Sequence, residues 1–332
     1  MAAFWSVKRS DTTSHVGSGA LALAVVGLAV VPQVWNASVV QQLTTLLILV
    51  MLAAMWNALS GYAGLVSVGQ QSFIGFGAYT TIFLTQQGVA PYLAVALAPL
   101  AAAGLAICLA PLVLRLRGGQ FAVGTWVVAE AIALMVMLDH GLGGGTGVSL
   151  RGLNVLPSHI RRAYTYWLAL AFVVLLLGLL FLLLRSRSGA ALQAIRDDEH
   201  AAASVGVRTA PLKLAIYVLA GFGCGAAGAL TLANTLFIQP RSIFGVHWSA
   251  FMIFMVLVGG LGTFEGPIVG AVVFFAIQNW FSDGGPWYLI GLGAVAVAFA
   301  LFLPRGLWSV VSQGRQIQLL PVGYHLSRRP TP

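Results

Sequence analysis

Ten apolar stretches, separated by only sparse charge, constrain this 332-residue chain more than any motif does. They lie near residues 20–35, 39–59, 72–86, 90–114, 119–139, 165–184, 211–234, 247–261, 264–281 and 286–303. At 1.5 Å per residue, a helix needs about 20 mainly apolar residues to cross a hydrocarbon core about 30 Å thick. Charged residues make up 8% of the chain, against about 25% in a soluble domain. So few charges cannot cover a surface facing water. The chain is predicted to be an all-α polytopic membrane protein with about 8–10 transmembrane segments, because helices satisfy their own backbone in lipid. The stretches at 72–86 and 247–261 are too short to span alone. They predict broken or re-entrant helices, which are stable only inside protein or beside a cavity.

The net charge of +9 does not point to nucleic acid, because the basic residues sit at the ends of apolar stretches and form no patch. With ten crossings and the N-terminus inside, 13 of the 17 basic residues fall on the cytoplasmic side. Arg151, Arg161, Arg162 and Arg241 fall on the other side. This bias predicts a multi-pass protein with both termini cytoplasmic. The expected plan is a tail over 1–18, a transmembrane domain over 19–303 and a solvated tail over 304–332. Lys8 and Arg9 precede an apolar run with no clear cleavage site, which reads as a first membrane helix and not a signal peptide. Cys108 and Cys224 lie alone in apolar stretches and read as small core residues. His15, His140, His159, His200, His247 and His325 are scattered, with no metal-ligand spacing. No metal site or enzyme motif is expected.

Two glycine-rich stretches interrupt the helical pattern, at 61–79 and 255–271. Discontinuous helices often carry a transport path, and close helix packing through small residues is the other reading. Candidate pathway positions are Gly61, Gly64, Ser67, Gln70, Gln71, Ser72, Gly259, Gly260 and Gly262. Glu130, the one acid deep in an apolar stretch, joins them, since an intramembrane carboxylate is costly. The outer loop 141–162 is also rich in glycine.

Between two of the stretches lies a polar segment, RSRSGAALQAIRDDEHAAASVGVR, at 185–208. It predicts one helix over 188–206, with an apolar stripe at Leu192, Ile195 and Val205. Gln193, Arg196, Asp197 and His200 form its polar face, and Gly206 its C-cap. Three consecutive acids, Asp197, Asp198 and Glu199, argue for a protein partner over an anionic lipid surface. The two lysines, Lys8 and Lys213, do not follow glycine, so the chain has no phosphate-binding loop. Energy for transport would have to come from another subunit.

From Asn57 to Trp308 the chain resembles the LivM-type permease subunits of branched-chain amino acid ABC importers. The resemblance rests on Asn57-Ala-Leu-Ser-Gly-Tyr-Ala-Gly64, Gly75-Phe-Gly-Ala-Tyr79, Leu116-Arg-Gly118 and Phe121-Ala-Val with Glu130. It continues through Ala194-Ile-Arg-Asp-Asp-Glu-His-Ala-Ala202 with Gly206, Val258-Gly-Gly-Leu-Gly-Thr263, Gly266-Pro267 and Pro304-Arg-Gly-Leu307. It implies a second, LivH-like permease subunit, two cytoplasmic ATPase subunits that bind ATP and Mg, and a periplasmic binding protein, all at the bacterial inner membrane. Leu192, Ile195, Arg196, Asp197, Asp198, Glu199, Ala202 and Gly206 would then form the helix that couples to an ATPase. Arg241 departs from the family pattern, as does the loop around Val148–Arg151. Related permeases for urea or short amides share these motifs and remain an alternative. An ion-coupled secondary transporter is a further one, with Glu130, Asp139 and Glu265 as its ionisable groups.

Overall fold

The computed structural model describes residues 5–8, 12–153, 157–281, 286–303, 306–312 and 325–328. Each apolar stretch forms a helix: α1 Thr12–Val34, α2 Ala37–Asn57, α3 Gln71–Gln86, α4 Pro91–Val113, α5 Gly119–Leu138 and α6 Ser158–Arg185 are the first six. The polar segment follows as α7 Arg187–Asp197 and α8 Glu199–Ser204. Then come α9 Thr209–Thr235, α10 Pro240–Ile243, α11 His247–Gly259, α12 Gly266–Phe281, α13 Pro286–Phe302 and α14 Gly306–Ser312. Among the described residues, six segments are long and apolar enough to cross a membrane by length and composition: 37–62, 91–113, 119–138, 158–185, 209–235 and 240–259. The protein is an all-α polytopic membrane protein.

Interhelical bonds sort the helix ends onto two faces. On one face Arg196 reaches Gly61, and Arg117 reaches His200. On the other, Gln86 donates to the Gly141 carbonyl, and Tyr92 to that of Arg161. Strands β2 Val148–Ser149 and β3 Phe237–Ile238 also pair on that second face. We call these the segment face and the loop face. Strand β1 Trp5–Lys8 pairs antiparallel with β4 His325–Arg328, which brings the two ends of the chain together. Part of the expected tail is therefore ordered as α14 and β4. Pro304 and Arg305 of the quoted motif lie outside the described residues.

The two short stretches are broken, as expected. Helix α3 has 16 residues, about 24 Å, and follows a non-helical stretch at 64–70. Helix α11 has 13 residues and is preceded by the single turn of α10. Helix α9 occupies the centre and packs against α2, α3, α4 and α6. Its small residues allow this. A Cβ placed on Gly228 would stand 2.6 Å from the Ile74 carbonyl carbon, and one on Gly77 would stand 2.7 Å from Gly225 Cα. Backbones at such range gain dispersion contacts that a larger side chain would block.

One expectation fails. The polar segment is two helices, not one. Asp198 is extended (φ −158°, ψ 109°) and caps α8 with its own side chain. The break also turns Val205 away from the stripe, leaving it 78% exposed, whereas Leu192, Ile195 and Ala202 are buried against the spans.

Candidate functional site

The site is a junction on the segment face, where both glycine-rich stretches meet the polar segment. Helix α2 ends in a π turn, Ala58–Tyr62, a departure from α geometry that is frequent at functional sites. Asn57 lies just before it and is buried. Its side-chain NH2 donates to the Thr263 carbonyl at 2.8 Å, and its Oδ1 accepts from Gly262 N at 2.8 Å. One amide thus clamps the end of α2 to the turn between α11 and α12. Arg196 then reaches in from α7, where its Nη1 donates to the Gly61 carbonyl at 2.9 Å. Gly64 (φ +69°) and Gly262 (φ +74°) adopt left-handed backbone beside Arg196. A Cβ at either would come within 3.3 Å of that arginine. These turns require glycine for both φ and space. Gly61 and Gly259 serve instead for close approach, Gly61 to Gly262 and Gly259 to Gly266. Gly260 is left-handed as well and meets Gly306 of α14. Asn57 carries the junction, yet the sequence reading used it only as the start of a motif. A buried amide closing an apolar stretch was the available signal.

From Gly64 the chain re-enters the interior without helical hydrogen bonds. Its backbone polar groups must find partners there, since no water or lipid supplies them. The surrounding side chains do so. Trp56 Nε1 donates to the Ser67 carbonyl at 2.9 Å, Ser72 Oγ to that of Gly69 at 2.6 Å, and Val68 N to Thr125 Oγ1 at 3.3 Å. Ser67 Oγ accepts from Gly69 N at 3.2 Å. Ser249 Oγ donates to Gln71 Oε1 at 2.6 Å and stands 3.2 Å from the Val68 carbonyl. Gln70 Oε1 accepts from the Cys224 thiol at 3.3 Å. Ser67, Gln70, Gln71 and Ser72 are thus gathered in one cluster, and all four are buried in the protein. Much of their polarity serves the broken backbone. The Nε2 atoms of Gln70 and Gln71 are buried with no hydrogen-bond partner.

The three consecutive acids have intramolecular partners. Asp197 pairs with Arg196 at 2.9 Å on the surface. Asp198 accepts from the backbone N–H groups of His200 and Ala201 at 2.8 and 3.0 Å. The Ala201 and then the His200 bond hold its carboxyl below the usual range, because both favour the charged form. Glu199 reaches Lys213 of α9 at 2.9 Å, and the lysine side chain is only 6% exposed. The sequence reading used Lys213 only for topology and to exclude a phosphate-binding loop, although it ties α8 to the central helix. Arg117 donates to His200 at 2.7 Å and links the α4–α5 turn to the same segment. Gly206 (φ +89°) closes the segment as expected.

Glu130 lies apart from this junction. It is exposed on α5 and accepts from Trp126 Nε1, one turn earlier, at 3.2 Å. A cavity of about 450 Å³ opens toward the loop face between α2, α9, α11 and α12. Thr45, Asn234, Gln239 and Gln278 are among its neutral polar lining, with Ile48 and Trp248 in the apolar part, and none of the described residues lining it is charged.

A many-helix membrane bundle with interrupted spans and a polar segment fastened to their junction has the build of a transport permease. A sequence model of the family described as "Branched-chain amino acid transport system / permease component" matches residues 38–311, and the chain belongs to that family as a LivM-type permease component. It is 28% identical over 317 residues to the high-affinity branched-chain amino acid transport system permease protein LivM of Escherichia coli K12, covering 86% of this chain and 74% of that protein. It is 29% identical over 292 residues to the Salmonella typhimurium protein of the same name, covering 80% and 68%. A probable LivM from Methanocaldococcus jannaschii is 25% identical over 167 residues, covering 49% and 48%. No solved structure matches the chain.

Proposed function

We propose that this chain is one membrane permease subunit of an inner-membrane ABC importer for branched-chain amino acids. A periplasmic binding protein delivers the cargo to the loop face. A second, LivH-like permease completes the path, and two ATPase subunits bind ATP and Mg beneath the segment face. That face and both termini are cytoplasmic, in keeping with the basic residues gathered there.

The observation that carries this reading is the seat of the polar segment. Helices α7 and α8 lie across the span ends with Leu192, Ile195 and Ala202 packed inward and Asp197 and His200 exposed outward. Arg196 joins the segment to Gly61, and Glu199 joins it to α9 through Lys213. A push on the exposed face from an ATPase would reach both broken spans through Arg196 and the central helix through Glu199. The uncharged cavity on the loop face suits a small cargo with an aliphatic part and no net charge. Reconstitution of the chain with its partner subunits tests the reading. Labelled leucine and valine should enter liposomes only with ATP and binding protein. Uptake of urea in preference to leucine would favour the amide-type alternative. Uptake by this chain alone under a proton gradient would overturn the ABC reading.

A further inference from the structure

Among the described residues, three buried side-chain nitrogen or oxygen atoms have no hydrogen-bond partner in the protein: Gln70 Nε2, Gln71 Nε2 and the Tyr79 hydroxyl. All three belong to α3 or to the residue before it. An unpaired buried group bears its full desolvation cost, and so calls for an explanation. Two of the three share a face. At about 100° and 1.5 Å per residue, Gln71, Gly75 and Tyr79 form one stripe about 80° wide and about 12 Å long. One aromatic ring covers it. A Cβ on Gly75 would overlap the ring of Phe244, so that ring fills the notch the glycine leaves. The same ring stacks on Tyr79, with centroids 6.0 Å apart and planes 18° from parallel. Phe244 is buried and directly follows α10, a turn of four residues. Ser242 and Ile243 of that turn, with Gln239 before it, line the loop-face cavity. A single turn therefore separates the cavity from the stripe, and Phe244 is the side chain it lays on α3.

We infer that the Gln71–Gly75–Tyr79 stripe is a stretch of the cargo path beyond the cavity, and that Phe244 is the gate that closes it. Both unpaired groups on the stripe are donors, an amide N–H and a phenol O–H. They suit a carboxylate, and they offer it a donor at two depths. With Phe244 seated on Gly75 the donors are shut in. With the ring displaced, they meet a carboxylate-bearing cargo that has entered the cavity. The turn that carries the ring is a small unit to move. Its backbone bonds run from Ser242 and Ile243 to the Gln239 carbonyl and from Phe244 to that of Pro240. The inference rests on the permease reading above and places part of its path inside this chain.

The test uses the whole complex in liposomes. Tyr79→Phe keeps the ring stack and removes only the hydroxyl. With ATP and binding protein, it should lower labelled leucine uptake about three- to tenfold, as loss of one hydrogen bond to the cargo implies. The unfolding temperature of that complex should hold or rise, because an unpaired buried group is gone. Tyr166→Phe is the control, since the Tyr166 hydroxyl donates to the Leu28 carbonyl. It should lower the unfolding temperature and leave uptake within about twofold of wild type. Phe244→Ala should let labelled leucine leave preloaded liposomes about fivefold faster without ATP, as loss of a gate implies. Phe244→Leu keeps apolar bulk and should leak about twofold faster than wild type; it carries this arm if Phe244→Ala does not assemble. Wild-type uptake in Tyr79→Phe overturns the inference, and so does an assembled Phe244 variant that leaks no more than wild type. In either case, ATP-driven uptake by the wild-type complex leaves the permease reading standing. A wild-type complex that takes up no leucine overturns both.

Discussion

Replacing Arg196 by Gln should uncouple the importer, whereas replacing Asp197 by Asn should not. The Arg196 guanidinium donates to the Gly61 carbonyl at 2.9 Å, a partly buried bond to the junction. A hydrogen bond from a charged group contributes about 1.5–3 kcal/mol. The arginine side chain is 37% exposed, and water screens part of this, leaving about 1–1.5 kcal/mol. Its pairing with Asp197, itself 68% exposed, adds only about 0–1 kcal/mol. Losing the Gly61 bond shifts the docked segment by up to roughly tenfold in population, since about 1.4 kcal/mol is tenfold. Labelled leucine uptake by the reconstituted complex should fall by about that factor in Arg196→Gln, with ATP hydrolysis continuing. Arg196→Lys should fall between, because a lysine is a point charge and cannot hold a carbonyl and a carboxylate in one rigid fork. Asp197→Asn should stay within about twofold, as loss of an exposed pair implies. Arg196→Gln uptake within twofold of wild type, or equal losses in both variants, would refute the idea that force passes through the Gly61 contact.

Glu199→Gln should destabilise the protein by about 3 kcal/mol, because it strands a buried lysine charge. Lys213→Met with Glu199→Gln should recover most of that, and thermal unfolding of the purified complex in detergent reads both. Gln70→Met removes an unpartnered buried amide and only a weak thiol contact, so folding should change by less than about 1 kcal/mol. A several-fold loss of leucine uptake in that variant would then mark a transport role, and unchanged uptake a purely structural one. Asp198 has a lowered carboxyl in the fold, so its cap contributes fully above the ordinary carboxylate range, near pH 3.9, and is lost as pH falls through the lower folded value. Amide exchange at His200 and Ala201 should therefore stay slow from pH 8 to about 5, after correction for intrinsic rates, and rise below about 4. Asp198→Asn should remove that pH dependence.

The sequence by itself determined that this is a helical membrane protein and where its apolar helices lie. Apolar length is a local property, and a bilayer forces each such stretch to satisfy its own backbone. The breaks before α3 and α11 were legible for the same reason, since 16 and 13 residues fall short of a full crossing. The polar segment was visible too, but the partners its charges find inside the chain were not. Three consecutive acids looked like a surface for a partner. In the fold one caps a helix, one neutralises a lysine from 14 residues away and one pairs with its neighbour. Those partners depend on where α9 returns beneath α8, which no local pattern encodes. Likewise Ser67, Gln70, Gln71 and Ser72 looked like the lining of a path. Their setting was decided only by Trp56, Thr125 and Ser249 arriving from three other helices to complete the backbone bonds of Ser67 and Val68. Glu130 shows the converse. Its carboxylate was conspicuous in the sequence, but only the packing of α5 by a single stripe revealed that it points out of this chain. Chain length and hydrophobicity fix what a segment can be; the neighbours that complete its buried hydrogen bonds and charges are fixed by the assembled fold, because those bonds join residues up to 206 positions apart.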